Sequence, residues 1–170
     1  MGTQKITARR TTGPGLKEVE TVDASAGAGS SGAVVSLDDT GRIDQSMMPA
    51  GVGTDQFSLP ASEALTAGDF VNAWDDAGTM KVRRADNSNG RDADGYVLAD
   101  VVSGATADVE FSDQNSQLSG LTVGADYYLG TVGGVTTTQP SATGELVQHL
   151  GKALSATSIQ VRLSDPIELA

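Results

Sequence analysis

A short motif that occurs twice is the sequence feature that most constrains the fold. Leu-Thr-x-Gly stands at 65–68 and again at 121–124, and each copy precedes a segment with aromatic residues typical of a strand. Segments 97–100 and 103–111 also align without gaps to 149–152 and 155–163. We therefore predict two related β-units, about 65–111 and 121–163. Chance similarity between β-rich sequences of restricted composition is the alternative to repetition.

The residue composition predicts an all-β fold with a small core. Aromatic residues make up only 4% of the chain, and Gly alone contributes 21 residues. Many turn-forming residues and the absence of a 3.6-residue apolar period favour short strands over helices. We expect a compact β-barrel or sandwich over residues 59–170, preceded by an extended, largely irregular N-terminal arm over residues 1–58.

The predicted arm has three parts. A basic tip is followed, between residues 11 and 32, by a run of small residues that offers almost nothing to bury. We predict a short strand at residues 33–37 and a turn at 38–41. Residues 42–48 form a segment with scattered apolar side chains that ends at Pro49. A single hairpin of this kind is not stable alone in water, so we expect it to dock on a neighbour.

Charge is distributed unevenly along the chain. The net charge is −11, but every charged side chain in residues 1–17 is basic. From residue 51 onward the acidic side chains far outnumber the basic ones, which argues against nucleic acid as a partner of the C-terminal part. The basic tip is compatible with contact to nucleic acid or to an acidic protein surface.

Targeting and redox signals are missing from the sequence. It contains no cysteine, so disulfides and thiolate chemistry are excluded. No apolar stretch approaches the roughly 20 residues that span a bilayer, and the N-terminus lacks the apolar core of a signal peptide. We expect synthesis in the cytoplasm and no membrane partner.

A search for catalytic residues gives a negative prediction. The chain has one histidine, His149, and no Gly-x-Ser-x-Gly motif. The glycine-rich segment 27–32 has no lysine, so it does not fit a phosphate-binding loop. We predict no enzymatic activity, no catalytic residue and no cofactor.

Acidic clusters and isolated aromatic residues have structural interpretations. The Asp- and Asn-rich segment 86–95 lacks the EF-hand order of ligands, so we interpret it as a solvated hairpin loop and predict no metal site. A glycosidase pair of carboxylates from distant parts of the chain stays open. We predict that Trp74, Tyr127 and His149 lie at a subunit interface.

Residues 32–49 resemble a short element that recurs in phage tail-fibre and head-fibre proteins. The shared pattern is roughly Gly-x-Val-x-Leu-x-x-x-Gly-x-Ile/Leu-Asp-x-Ser-x-x-Pro. In such proteins the element tends to lie near the attachment end. The resemblance implies a virion component, with capsid attachment through Arg9, Arg10, Val34, Val35, Leu37, Ile43, Met47, Met48 and Pro49.

The C-terminal part, residues 65–169, is similar to small β-domains of phage capsid decoration (cement) proteins and of some fibre proteins. The similarity is carried by segments 65–71, 95–104, 127–130 with 133–136, and 150–155. It implies a homotrimer on the outer capsid surface that binds the major capsid protein and ties capsomers together. Two alternatives stay open: a tail-fibre or baseplate adaptor, and a carbohydrate-binding virion module.

Overall fold

The computed structural model describes residues 5–9, 15–39, 41–48 and 55–170. The chain forms two compact units, Met1–Gly53 and Thr54–Ala170. The division falls a few residues before the predicted boundary at residue 58. The fold is nearly all-β, which confirms the predicted fold class.

The first unit contains a three-stranded sheet with the order β1-β2-β3, formed by β1 (Lys5–Arg9), β2 (Leu16–Val22) and β3 (Val34–Val35). β1 and β2 are antiparallel, and β3 runs parallel to β2. The small-residue run includes a 3-10 helix at Gly27–Ser30, and a second one lies at Gln45–Met47.

The described part of the predicted arm thus combines a small sheet with irregular segments. β2 contains the β-branched residues Val19, Thr21 and Val22, which favour an extended strand. The short strand predicted at 33–37 and the turn predicted at 38–41 are present, as β3 and as a turn closed by the Asp38 N–H on the Arg42 carbonyl. The two sides do not pair as a hairpin, because β3 pairs with β2 and residues 45–47 form a 3-10 helix.

Within residues 55–170, the second unit consists of two five-stranded sheets and one two-stranded ribbon. Its strands are β4 (Gln56–Pro60), β5 (Phe70–Asp76), β6 (Thr79–Arg84), β7 (Gly95–Val97), β8 (Thr106–Glu110), β9 (Gln114–Asn115), β10 (Asp126–Leu129), β11 (Val135–Thr136), β12 (Leu146–Val147), β13 (His149–Ser155), β14 (Ser158–Val161) and β15 (Ile167–Glu168). The β5–β6 hairpin turns through Ala77 and Gly78, which both have positive φ. This backbone matches the right-handed twist of the flanking strands.

The two large sheets have the same topology. The first has the strand order β4-β8-β7-β5-β6, and the second has the order β9-β14-β13-β10-β11. The turns that open the two repeats also match. The Gly68 N–H donates to the Val97 carbonyl at 2.7 Å, and the Gly124 N–H donates to the Ala153 carbonyl at 2.8 Å. The strand order and the turns therefore repeat together.

The hydrogen-bond register corrects the sequence alignment of the closing segments. Val97 pairs with Val109 in the first sheet, and Ala153 pairs with Ile159 in the second. The gapless alignment of 103–111 with 155–163 instead matched Val109 to Val161. It was misplaced by two residues because a strand's side chains repeat every second residue, so a shift of two preserves the apolar pattern.

Two apolar clusters form the core of the second unit. One lies on a face of the first sheet and includes Val71, Val82, Val97 and Val109. The other joins the two sheets, because it contains Phe70 and Tyr96 from the first and Leu129 and Ile159 from the second. Buried side chains also link the sheets: Gln148 makes two hydrogen bonds to the Ala93 backbone, at 2.7 and 2.9 Å.

The first sheet curls but does not close. An isolated parallel bridge joins Ala61 to Val82, and the Ser62 N–H donates to the Val82 carbonyl at 2.8 Å. Within residues 55–170, no ladder of paired residues joins β4 to β6 beyond this bridge, and neither large sheet is a closed barrel. The two sheets packed through a shared core correspond to the sandwich alternative.

Candidate functional site

Most aliphatic residues predicted for attachment lie on the surface of the first unit. Val34, Val35, Leu37, Ile43 and Met48 are between 38% and 52% exposed, and Met47 is half-buried. Scattered exposed aliphatic residues are ordinary, but several within one short segment are characteristic of a binding surface. We refer to residues 32–49 as the attachment element.

A turn at Asp38 organises the centre of the attachment element. The Asp38 N–H donates to the Arg42 carbonyl at 2.7 Å, and the Arg42 N–H donates to the Asp38 carboxylate at 2.9 Å. An aspartate that bonds nearby backbone in this way stabilises a tight turn. The turn places Leu37 and Ile43 on either side of its base.

A small cavity brings two of the predicted residues together. Val35 and Met47 both line a cavity of about 210 Å³, together with Val22 and several serines. The Ser25 N–H donates to the Ser46 hydroxyl at 2.8 Å, which ties the 3-10 helix at Gln45–Met47 to the end of β2. Hydrogen bonds from the Ser46 hydroxyl and N–H lower the pKa of Asp44.

Sequence analysis missed two exposed aliphatic residues of this unit. Ile6 in β1 is 41% exposed, and Leu16 at the start of β2 is 67% exposed. No strand alternation in the sequence marked them, because the apolar residues of segment 16–22 recur at every third position. Arg9 pairs with Leu16 through the backbone, while its side chain, Arg10 and Pro49 lie outside what the structure describes.

Trp74 lies half-buried on β5. The Arg83 guanidinium sits 4.5 Å from the centre of the indole ring, and the Arg83 Nε donates to the Asn72 side-chain oxygen at 3.0 Å. The indole N–H is buried and has no hydrogen-bond partner among the described residues. The ring is thus fixed by a cation–π contact, and its place at a subunit interface stays a prediction.

The structure places Tyr127 in the interior of its own subunit. It is 5% exposed within the cluster that joins the two sheets, and its hydroxyl accepts a hydrogen bond from the Thr122 N–H at 2.9 Å. This differs from the predicted interface position, because burial against its own chain leaves little of the ring for a partner. Tyr128 points to the opposite face and packs edge-on against His149, with ring centres 5.7 Å apart.

His149 lies on the outer face of the second sheet, in a charged groove of about 180 Å³. Its Nε2 is 3.3 Å from Asp126 Oδ1, and Lys152 Nζ is 3.1 Å from Asp126 Oδ2. Hydrogen bonds from Lys152 and His149 lower the pKa of Asp126. The groove also contains Arg162, so it presents positive charge on an otherwise acidic unit.

The acidic segment 86–95 is more buried than the predicted solvated loop. Asp86 is 8% exposed and accepts hydrogen bonds from the Ser88 N–H at 2.9 Å and the Val132 N–H at 3.1 Å. Asp94 accepts the Ala73 N–H at 2.7 Å, and burial raises its pKa. These carboxylates satisfy buried backbone donors. Nowhere in the described ranges do three His, Asp or Glu side chains converge as a metal site would require.

Comparison with known proteins gives a match among solved structures only. No family model matches the chain, and the search of curated proteins gives no significant match. A solved structure that does match is the head fiber gp8.5 N base of bacteriophage phi29, with a TM-score of 0.45 and 15% sequence identity. The match covers 65% of this chain and 95% of that chain. Within the described ranges, no helix is long and apolar enough to cross a membrane.

Proposed function

We propose that this chain is a non-enzymatic structural protein of a phage particle, attached to the outer capsid surface through its first unit. The observation that carries the proposal is the series of exposed aliphatic side chains in the attachment element, the same residues whose pattern resembles that of fibre proteins. These side chains are already about half buried, so covering the rest of each contributes on the order of 1 kcal/mol, and several of them together support docking.

The second unit suits a role on the particle exterior. Its many acidic side chains favour solubility and oppose association with nucleic acid. Its buried carboxylates bond backbone donors, which is a structural use of these groups. We further propose a homotrimer whose partner is the major capsid protein, with the second unit reinforcing contacts between capsomers.

A substitution pair tests attachment through the first unit. Leu37→Asp combined with Val35→Asp should abolish co-sedimentation of the full-length protein with purified capsids, because each change places a charge where the docked state needs an apolar contact. The matched control is Val123→Asp, since Val123 is 65% exposed on the second unit. Capsid binding by the double variant at the wild-type level would refute the proposal.

The same assay distinguishes the alternative location. If the wild-type protein does not sediment with capsids but sediments with purified tails, the tail-fibre or baseplate adaptor hypothesis replaces capsid decoration.

A further inference from the structure

A polar pocket lies beside the end of β10 in the second unit. Its volume is about 350 Å³, and its lining includes Asn87, Thr131, Thr136, Gln139 and Glu145. Asn87 belongs to the loop after β6, whereas the other four belong to the second repeat. The pocket therefore exists only because the two repeats pack together.

Asn87 is held rigidly at this pocket. It is 6% exposed, its N–H donates to the Gly130 carbonyl at 3.0 Å, and its carbonyl accepts the Leu146 N–H at 2.8 Å. Its side-chain oxygen is buried and has no hydrogen-bond partner in the described part of the chain. A buried acceptor without a donor is costly, so a rotation of the Asn87 side chain that brings this oxygen to the pocket surface gains a hydrogen bond when a ligand there supplies a donor.

The remaining lining groups suit a neutral ligand with many hydroxyls. Thr131 and Gln139 make no side-chain hydrogen bond within the described residues, so they are available both to donate and to accept. Glu145 Oε2 already accepts the Ser141 N–H at 3.1 Å and the Ala142 N–H at 2.9 Å, which leaves Oε1 as a second acceptor. A single carboxylate partly used by the backbone is a weak cation site, and a lining with so few apolar groups suits an apolar ligand poorly.

We propose that this pocket binds one sugar unit of a glycan. Sugar hydroxyls both donate and accept, which matches the Thr and Gln side chains, and one of them would donate to the Asn87 oxygen once that side chain rotates toward the pocket. The pocket lining contains no aromatic ring for stacking, so the affinity for a single sugar should be weak, with a Kd on the order of millimolar. This inference does not depend on where the protein sits on a particle, although display in many copies would raise the avidity.

Titration of the full-length ¹⁵N-labelled protein tests the proposal. The probes are glucose, galactose, N-acetylglucosamine, N-acetylgalactosamine and glucuronic acid, with glycerol as a polyol control. We expect at least one sugar to shift the amide signals of Asn87, Gly130 and Thr131 saturably, and glycerol to leave them in place. Absence of saturable shifts for every sugar, or equal shifts with glycerol, would overturn the proposal.

Two variants separate binding from folding. Gln139→Ala, at an exposed rim position, should weaken sugar binding by about three- to tenfold, the effect of one lost hydrogen bond. Gln117→Ala, at an exposed position elsewhere on the second unit, is the matched control and should bind as the wild type does. Asn87→Leu should abolish binding while the rest of the spectrum stays dispersed. Wild-type affinity in the Gln139 variant, together with binding by a folded Asn87 variant, would also overturn the proposal.

Discussion

Gly95 and Gly151 occupy the same position in the two large sheets. A Cβ atom on Gly95 would lie 2.5 Å from the Glu110 carbonyl oxygen, and one on Gly151 would lie closer still to the Gln160 carbonyl oxygen. Gly95 pairs with Val71, and Gly151 pairs with Tyr127, at the corresponding place in each ladder. In each repeat a glycine therefore lets a neighbouring strand approach closely.

Alanine at either glycine should destabilise the second unit. We expect Gly95→Ala to lower the free energy of unfolding by about 1–3 kcal/mol and Gly151→Ala to lower it more, because its Cβ would meet the carbonyl more closely. Urea unfolding monitored by the fluorescence of Trp74 measures the change. Gly29→Ala is the control, since its Cβ would meet only a side-chain atom at 3.9 Å. Equal stability of all three variants would contradict the close approach.

Equivalent residue pairs in the two sheets lie in different environments. Phe70 pairs with Tyr96 in the first sheet beneath the second, whereas Asp126 pairs with Lys152 at the matching place in the exposed face of the second sheet. Phe70→Ala should cost about 3–5 kcal/mol, because it opens a cavity between the sheets. Lys152→Ala should leave the urea midpoint within error. A large decrease in the urea midpoint for Lys152→Ala would mean that this face of the second sheet is covered.

The pH dependence of stability should differ in sign for two aspartates of the same loop. Burial raises the pKa of Asp94 above its usual 3.8. Its folded form therefore holds a proton more tightly, so its stabilising contribution is complete at low pH and is lost as the pH rises through the folded pKa. Asp94→Asn should gain stability relative to the wild type from acid to neutral pH.

Asp86 provides the contrast. Burial acts to raise its pKa, but hydrogen bonds from Ser88 and Val132 prevail and lower it overall. Its contribution is present above the unfolded-state pKa and is lost as the pH falls through the lower folded-state pKa. Asp86→Asn should lose stability at neutral pH, with the difference closing in acid. Urea unfolding at a series of pH values measures both variants, and parallel profiles for the two would refute the assignment.

Removal of the first unit should separate folding from attachment. Deletion of residues 1–53 leaves both clusters of the second unit intact, so its circular dichroism and unfolding midpoint should stay close to those of the full chain. Capsid co-sedimentation should be lost, because the attachment element is gone. A truncated protein that still binds capsids would place the attachment surface on the second unit.

A mass measurement tests the proposed homotrimer. Sedimentation equilibrium should give three times the 17.3 kDa of one chain. His149→Glu should weaken the trimer if the outer face of the second sheet lies in the interface, because it adds a negative charge beside Asp126. Thr79→Glu, at an exposed hairpin end, is the charge-matched control. A stable monomer at all concentrations would rule out the trimer.

Sequence alone determined the all-β class, the opening motif of each repeat and the segment whose aliphatic side chains are exposed. These features depend on local properties: turn-forming residues, the two-residue period of strands and the Leu-Thr-x-Gly motif. Tertiary structure decided the rest. It set the register that matches Val109 to Ile159, because a shift of two residues leaves a strand pattern unchanged. It also buried Tyr127 and Asp86 and assembled the Asn87 pocket, because each depends on contacts between segments far apart in sequence.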